Sequence, residues 1–158
     1  MRLNCSKEGA RLANGVFMAF DYGVRRVGVA VGDCSLKMAH PIDTIEYSDS
    51  KDLYVKLGKH HAEWLPVGFV VGLPSSEGRG KRKLQGLIRH FASDLEKRFF
   101  LPVYFIEEDY SSTYAEQVLS EVVSDWKKRK SLLDGFSAKI ILDAFFNSIR
   151  LTDESDAN

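Results

Sequence analysis

The sequence predicts an α/β domain, a mixed five-stranded sheet with helices on both faces. Three observations carry that expectation. Two apolar, valine- and phenylalanine-rich runs, VFMAFD (16–21) and RVGVAVG (26–32), lie a tight connection apart, as paired strands do. Further strand-like runs then alternate with segments of helical periodicity. The 158 residues suit one domain with a sizeable core.

Each element follows in chain order. Residues 16–21 read as a buried strand and 26–32 as its partner. Tyr22 to Arg25 is the turn between them, with Gly23 free to take a positive φ. A third strand is expected from Lys37 to Tyr47, interrupted around Pro41. Residues 51–64 put Leu53, Leu57, His60 and Trp64 on one helical face, and both tryptophans are expected to pack. VGFVVGLP (67–74) reads as a fourth strand. Residues 81–98 carry the stripe Leu84, Leu87, Ile88, Phe91 and Leu95. PVYFIEE (102–108) is a fifth strand, and a helix with a Thr113–Glu116 capping box is expected next. KKRK (127–130) reads as a basic loop. The last helix runs from Leu133 to Ile149, with Ser137, Ile140, Ile141, Ala144 and Phe145 inward.

Composition narrows the function. The chain is 44% hydrophobic and 28% charged, and its 22 basic and 22 acidic residues cancel. No global field attracts nucleic acid, so any basic footprint is local. Cys5 and Cys34 form no CxxC pair and read as reduced thiols of a cytoplasmic protein. No apolar run approaches the roughly 20 residues of a membrane span, so no membrane partner is expected. Residues 1–14 read as a polar extension, 15–149 as the domain and 150–158 as a polar tail.

The chemistry lies in carboxylates at strand ends. Asp21 closes the first strand, Glu107, Glu108 and Asp109 close the fifth, and Asp134 opens the last helix. Ligands of such sheets sit outside the carboxyl ends of the parallel strands. If strands one and five are neighbours, Asp21 and an acid after Ile106 share an edge. Like charges there repel unless a cation lies between them. Mg²⁺-type ions take oxygen ligands, and two of them about 3.5–4 Å apart stabilise both oxygens of an in-line phosphoryl displacement. Spacing alone leaves plainer roles open: a turn residue for Asp21, a helix-dipole partner for Glu108, an N-terminal helix acid for Asp134.

The blocks together resemble the YqgF (RuvX) family of RNase H-like nucleases of bacteria. The pattern Asp-x-Gly-x-(Lys/Arg)-Arg-x-Gly-x-Ala is met by Asp21, Gly23, Arg25, Arg26, Gly28 and Ala30. A Pro-Ile-x-Thr-Ile segment is Pro41 to Ile45, and Val-Val-Gly-Leu-Pro is Val70 to Pro74. The closing Asp-x-x-Ala-Ala block is Asp134, Ser137 and Ala138, with Ser137 in place of the first alanine. Where the family has Asp-Glu-Arg, this chain has Glu107-Glu108-Asp109, a charge reversal at the third position. The resemblance covers roughly 15–148.

It implies an RNase H-like fold and a Mg²⁺ or Mn²⁺ site held by Asp21, Glu108 and Asp134 as the catalytic residues. It also implies a phosphodiesterase that processes the 5′ end of pre-16S ribosomal RNA in ribosome biogenesis. A Holliday-junction resolvase on four-way DNA is the alternative, and a dimer would suit it; monomer or homodimer stays open. Asp109 keeps a degenerate nucleic-acid-binding module in view.

The basic residues are the candidate nucleic-acid contacts. Arg25 and Arg26 follow Asp21 directly, as phosphate or metal-site partners or as a pair bridging a carboxylate. Arg79, Lys81, Arg82 and Lys83 lie in GRGKRK (78–83), before a helix whose N–H groups suit phosphate. Each has a solvated basic face as its plain reading. The histidines fit no metal spacing; His60 and His61 read as helix surface or packing.

Overall fold

Strand β1 (Val16–Tyr22) is central, with the order β3-β2-β1-β4-β5 across the sheet. The computed structural model describes residues 14–75, 81–107 and 126–156, and side chains for these except 126–133 and 150–156. β2 (Arg26–Asp33) and β3 (Met38–Glu46) add to β1 as antiparallel neighbours. β4 (Gly68–Leu73) and β5 (Val103–Glu107) add in parallel on its other side. This is the RNase H-like mixed sheet. β4 lies between β1 and β5, so strands one and five are not neighbours as the sequence reading supposed. Their carboxyl ends still point the same way, two strand spacings, roughly 9.5 Å, apart.

Side-chain alternation splits the sheet into two layers. Met18 and Phe20 of β1, Val27, Val29 and Val31 of β2, and Phe69, Val71 and Leu73 of β4 face one way. Helices α1 (Ser50–Trp64) and α2 (Lys81–Phe99) cover them with Leu53, Tyr54, Leu57, Ile88, Phe91, Ala92 and Leu95. Phe17, Ala19 and Val70 face the other way, against Ile141, Leu142, Phe145, Phe146 and Ile149 of α3 (Trp126–Asp156). Helices therefore lie on both faces.

Several local expectations change. The buried face of α1 is Leu53, Tyr54 and Leu57, while His60 is half-buried and Trp64 is 37% exposed. The apolar run ends at Leu57, and in the last turn it is His61 that packs inward, its ring 4.6 Å from Phe99. KKRK is not a loop but the first turns of α3, in keeping with the good helix propensity of Lys and Arg. At its other end α3 passes Ile149 and continues to Asp156, because no Gly or Pro interrupts it after Gly135. The buried stripe of α3 is Ser137, Ala138, Ile141, Leu142, Phe145, Phe146 and Ile149. Ile140 and Ala144 are only half-buried. The expected Thr113–Glu116 capping box, Cys5 and Glu108–Asp109 lie outside the described residues.

The caps are plain. Asp49 accepts from the Asp52 amide at 2.8 Å and starts α1. α1 and α2 both end on left-handed residues that are not glycine, Leu65 (φ 46°) and Phe100 (φ 56°), whose amides close back onto His61 and Glu96. Pro41 is accepted in β3 because β3 is an edge strand with an irregularity opposite Val29 and Ala30.

Candidate active site

The site starts from the pairing of β1 with β2. Asp21 stands opposite Gly28, and both lie on the α3 face of the sheet. A Cβ on Gly28 would collide with the backbone carbonyl of Asp134, so only glycine lets α3 settle there. The contact fixes the height of α3 over the sheet and brings the Asp134 backbone onto the residue paired with Asp21. The Asp134 backbone is thus brought to the carboxyl end of β1, beside the residue paired with Asp21. Gly135, next along α3, lies over β3, where a Cβ would make ordinary van der Waals contact with the Asp43 carbonyl and Pro41.

Arg26 joins this contact. Its Nε lies 3.4 Å from Asp134 Oδ2, and that oxygen is shielded from solvent. Arg26 balances the negative charge that two carboxylates concentrate at one edge. Arg25, one residue earlier, is exposed, and its carbonyl accepts from the Tyr47 amide at 3.2 Å. The two arginines therefore divide the roles left open for them, Arg26 meeting a carboxylate and Arg25 facing solvent.

The turn beside Asp21 is held from outside. The Tyr47 hydroxyl donates to the Gly23 carbonyl at 2.6 Å. Burial, with Tyr22 adjacent, raises the Tyr47 pKa far above the usual phenol value, so the hydroxyl stays a donor. Gly23 does not take the positive φ expected of it; Gly15 is the glycine that does among the described residues. Gly23 is needed instead for a close approach, since a Cβ there would stand 2.7 Å from the Arg26 carbonyl.

The remaining candidates fall at the same edge or outside the described residues. Lys81, Arg82 and Lys83 form the exposed first turn of α2. Gln85 donates to the Pro74 carbonyl at 2.6 Å and fastens that turn to the carboxyl end of β4. Arg79 lies outside the described residues, as does Glu108. Among the described residues no group of three His, Cys, Asp or Glu side chains gathers closely enough to hold a metal ion. Asp21 and Asp134 supply oxygen donors from separate elements on one face, which suits a hard divalent cation. Sequence reasoning missed the Tyr47 tie and the pairing of His60 with Asp43, at 2.7 Å. Neither partner is near the other in sequence.

An RNase H-like sheet with acids at its carboxyl edge defines the class. A family model described as "RuvX: Holliday junction resolvase" matches residues 15–148. A Neisseria meningitidis protein named "Putative pre-16S rRNA nuclease" is 42% identical over 136 residues, covering 86% of this chain and 90% of that protein. A relative of the same name from Nitrosomonas europaea is 38% identical over 135 residues, covering 85% and 91%. The chain belongs to the RuvX family. Among solved structures, Thermus thermophilus RuvC in complex with a Holliday junction substrate aligns over 87% of this chain and 97% of that one. Its identity is 15% and its TM-score 0.48.

Proposed function

We propose that this chain is a divalent-metal-dependent endonuclease that processes the 5′ end of pre-16S ribosomal RNA, a cytoplasmic step of ribosome biogenesis. The observation that carries it is the approach of the Asp134 backbone to Gly28, the residue paired with Asp21, with Arg26 against Asp134. Family membership and the names of the relatives support the same reaction class.

Asp21, Asp134 and Glu108 would hold Mg²⁺ or Mn²⁺. When bound, the ion lowers the pKa of a water and stabilises charge on the phosphoryl oxygens. The chain's own residues do the rest. Gly28 and Tyr47 fix the height of α3 and the turn after β1, so the carboxylates are set before substrate arrives. Arg26 would orient the Asp134 carboxylate. Arg25 and the exposed Lys81, Arg82 and Lys83, with Arg79, would track the nucleic-acid backbone along the carboxyl edge. No covalent enzyme intermediate is required.

The test is cleavage of a pre-16S 5′ region and of a four-way DNA junction, side by side, with Mg²⁺, Mn²⁺ or EDTA. Metal-dependent cutting of the RNA, reduced at least about 100-fold in Asp21→Asn, is the expected result. Cutting of the junction alone would move the chain to the resolvase reading of its family's description. No cutting of either would leave a nucleic-acid-binding module.

A further inference from the structure

A groove of about 590 Å³ opens on the outer side of β3, beneath the last turns of α1. Lys56, Lys59, His60 and Glu63 line it at helical spacing i, i+3, i+4, i+7, so they form one polar stripe. The core-facing stripe of the same helix is Leu53, Tyr54 and Leu57. Two ties join helix to strand across the groove: Lys56 Nζ donates to the Glu46 carbonyl at 2.6 Å, and His60 Nε2 lies 2.7 Å from Asp43 Oδ2. Thr44 and Ile45 lie between the strand ends of these ties. Arg26 also lines the groove, and its Nε is the group 3.4 Å from Asp134. The groove therefore leads directly to the carboxylate edge.

Its charge is informative. Arg26, Lys56 and Lys59 are matched by Asp43, Glu46 and Glu63, so the lining is neutral overall. A bare phosphate trap would not carry three carboxylates. A ligand suited to this lining brings one negative charge and several hydrogen-bond donors. Lys59 is exposed and forms no ion pair with any described residue, which leaves its ammonium for the ligand's charge. Glu46 and Glu63 are exposed acceptors. A ribonucleotide unit matches: one phosphodiester charge, a 2′-hydroxyl donor and base N–H donors. The volume lies within the range of small-molecule sites and suits one nucleotide, not a duplex.

We infer that this groove is a ribonucleotide subsite. It holds one unpaired nucleotide flanking the scissile phosphate, with Lys59 on its phosphate and Glu46 and Glu63 accepting from its 2′-hydroxyl and base. This rests on the nuclease reading and adds a source of RNA-over-DNA preference at a place separate from the carboxylates.

The test is fluorescence anisotropy of the full chain in EDTA, with labelled single-stranded RNA and DNA hexamers of the same sequence. RNA binds more tightly than DNA by about tenfold, as expected for hydrogen bonds to charged acceptors. Of Glu46→Ala and Glu63→Ala, the one that removes the acceptor of the 2′-hydroxyl weakens RNA alone and brings the two within about threefold, while the one that removes the acceptor of the base weakens both. Lys59→Ala weakens both by a similar factor. All three side chains are exposed, and thermal melts matching wild type confirm intact folding. No RNA binding, equal affinity for the two hexamers, or an RNA-to-DNA ratio unmoved by both glutamate variants overturns the subsite. Cleavage by wild type with Mg²⁺, run in parallel, keeps the two ideas apart. Preferential RNA binding without cutting overturns the nuclease reading only. Cutting with an unaltered ratio in the variants overturns the subsite only.

Discussion

The α1/α2 face of the sheet and the carboxyl end of its α3 face are packed by opposite means. On the α1/α2 face, bulk fills the space. Phe91 meets Phe20 edge-on at 5.6 Å, lies 4.8 Å from the Tyr22 ring and stacks on Tyr54 at 6.4 Å. Arg98 covers the Tyr54 ring at 4.0 Å, and the Tyr54 hydroxyl reaches Asp94 at 3.1 Å. On the α3 face near the carboxyl edge, absence of bulk does the positioning. Gly28 lets backbone meet backbone, and Arg26 meets Asp134 beside it. The first face can lose precision and keep its fold. The second sets the spacing of charged groups, where small displacements matter.

Substitutions on each face sharpen that contrast, the largest first. Phe91→Ala removes a ring that is 2% exposed and should cost about 3–5 kcal/mol of stability in a denaturant titration. Cleavage per folded molecule should stay near wild type. Gly28→Ala should cost less stability, about 1–3 kcal/mol. Its cleavage should nonetheless fall at least about tenfold per folded molecule, because α3 must lift and carry Asp134 with it. Equal cleavage by these two variants would break the comparison. Tyr47→Phe removes one hydrogen bond to the Gly23 turn and should cost about 1 kcal/mol, read as a small shift in denaturation midpoint.

The smallest effect is a pH dependence on the α1 side. Asp52 accepts from the Ser48 amide and pairs with Lys56, and these contacts hold its pKa below 3.8. A lowered folded-state value means its contribution is present above pH 3.8 and fades as pH falls through that lower value. Asp52→Asn should lower the neutral plateau of the stability curve slightly and flatten its acid limb, so that the variant and wild type converge at low pH.

The strands were legible because their apolar runs are short, β-branched and punctuated by Gly and Pro. The whole-sheet outline followed from hairpin order and then alternation. What sequence could not supply was contact between distant segments. Asp134 reads as the start of a helix because KKRKSLL shows no helical stripe, yet it lies more than two turns inside α3. The stripe of buried side chains begins only at Ser137, after α3 has already met the sheet at Asp134 and Gly135. The insertion of β4 between β1 and β5 is likewise invisible to spacing. Of the candidate site, the residue types were readable at Asp21 and Asp134. The approach of the Asp134 backbone to Gly28 was not, since a glycine in a strand gives no sign of what comes close to it.

The Gly28 contact also sets an order of events during synthesis. Asp21 belongs to the first strand to leave the ribosome and Asp134 to the last helix, so their approach closes most of the chain into one loop. Such long-range contacts form late in folding. On the nuclease reading, a nascent or truncated chain that has paired β1 to β5 but lacks α3 has a folded sheet and no cutting edge. On that reading the chain stays inert until α3 has packed onto the sheet.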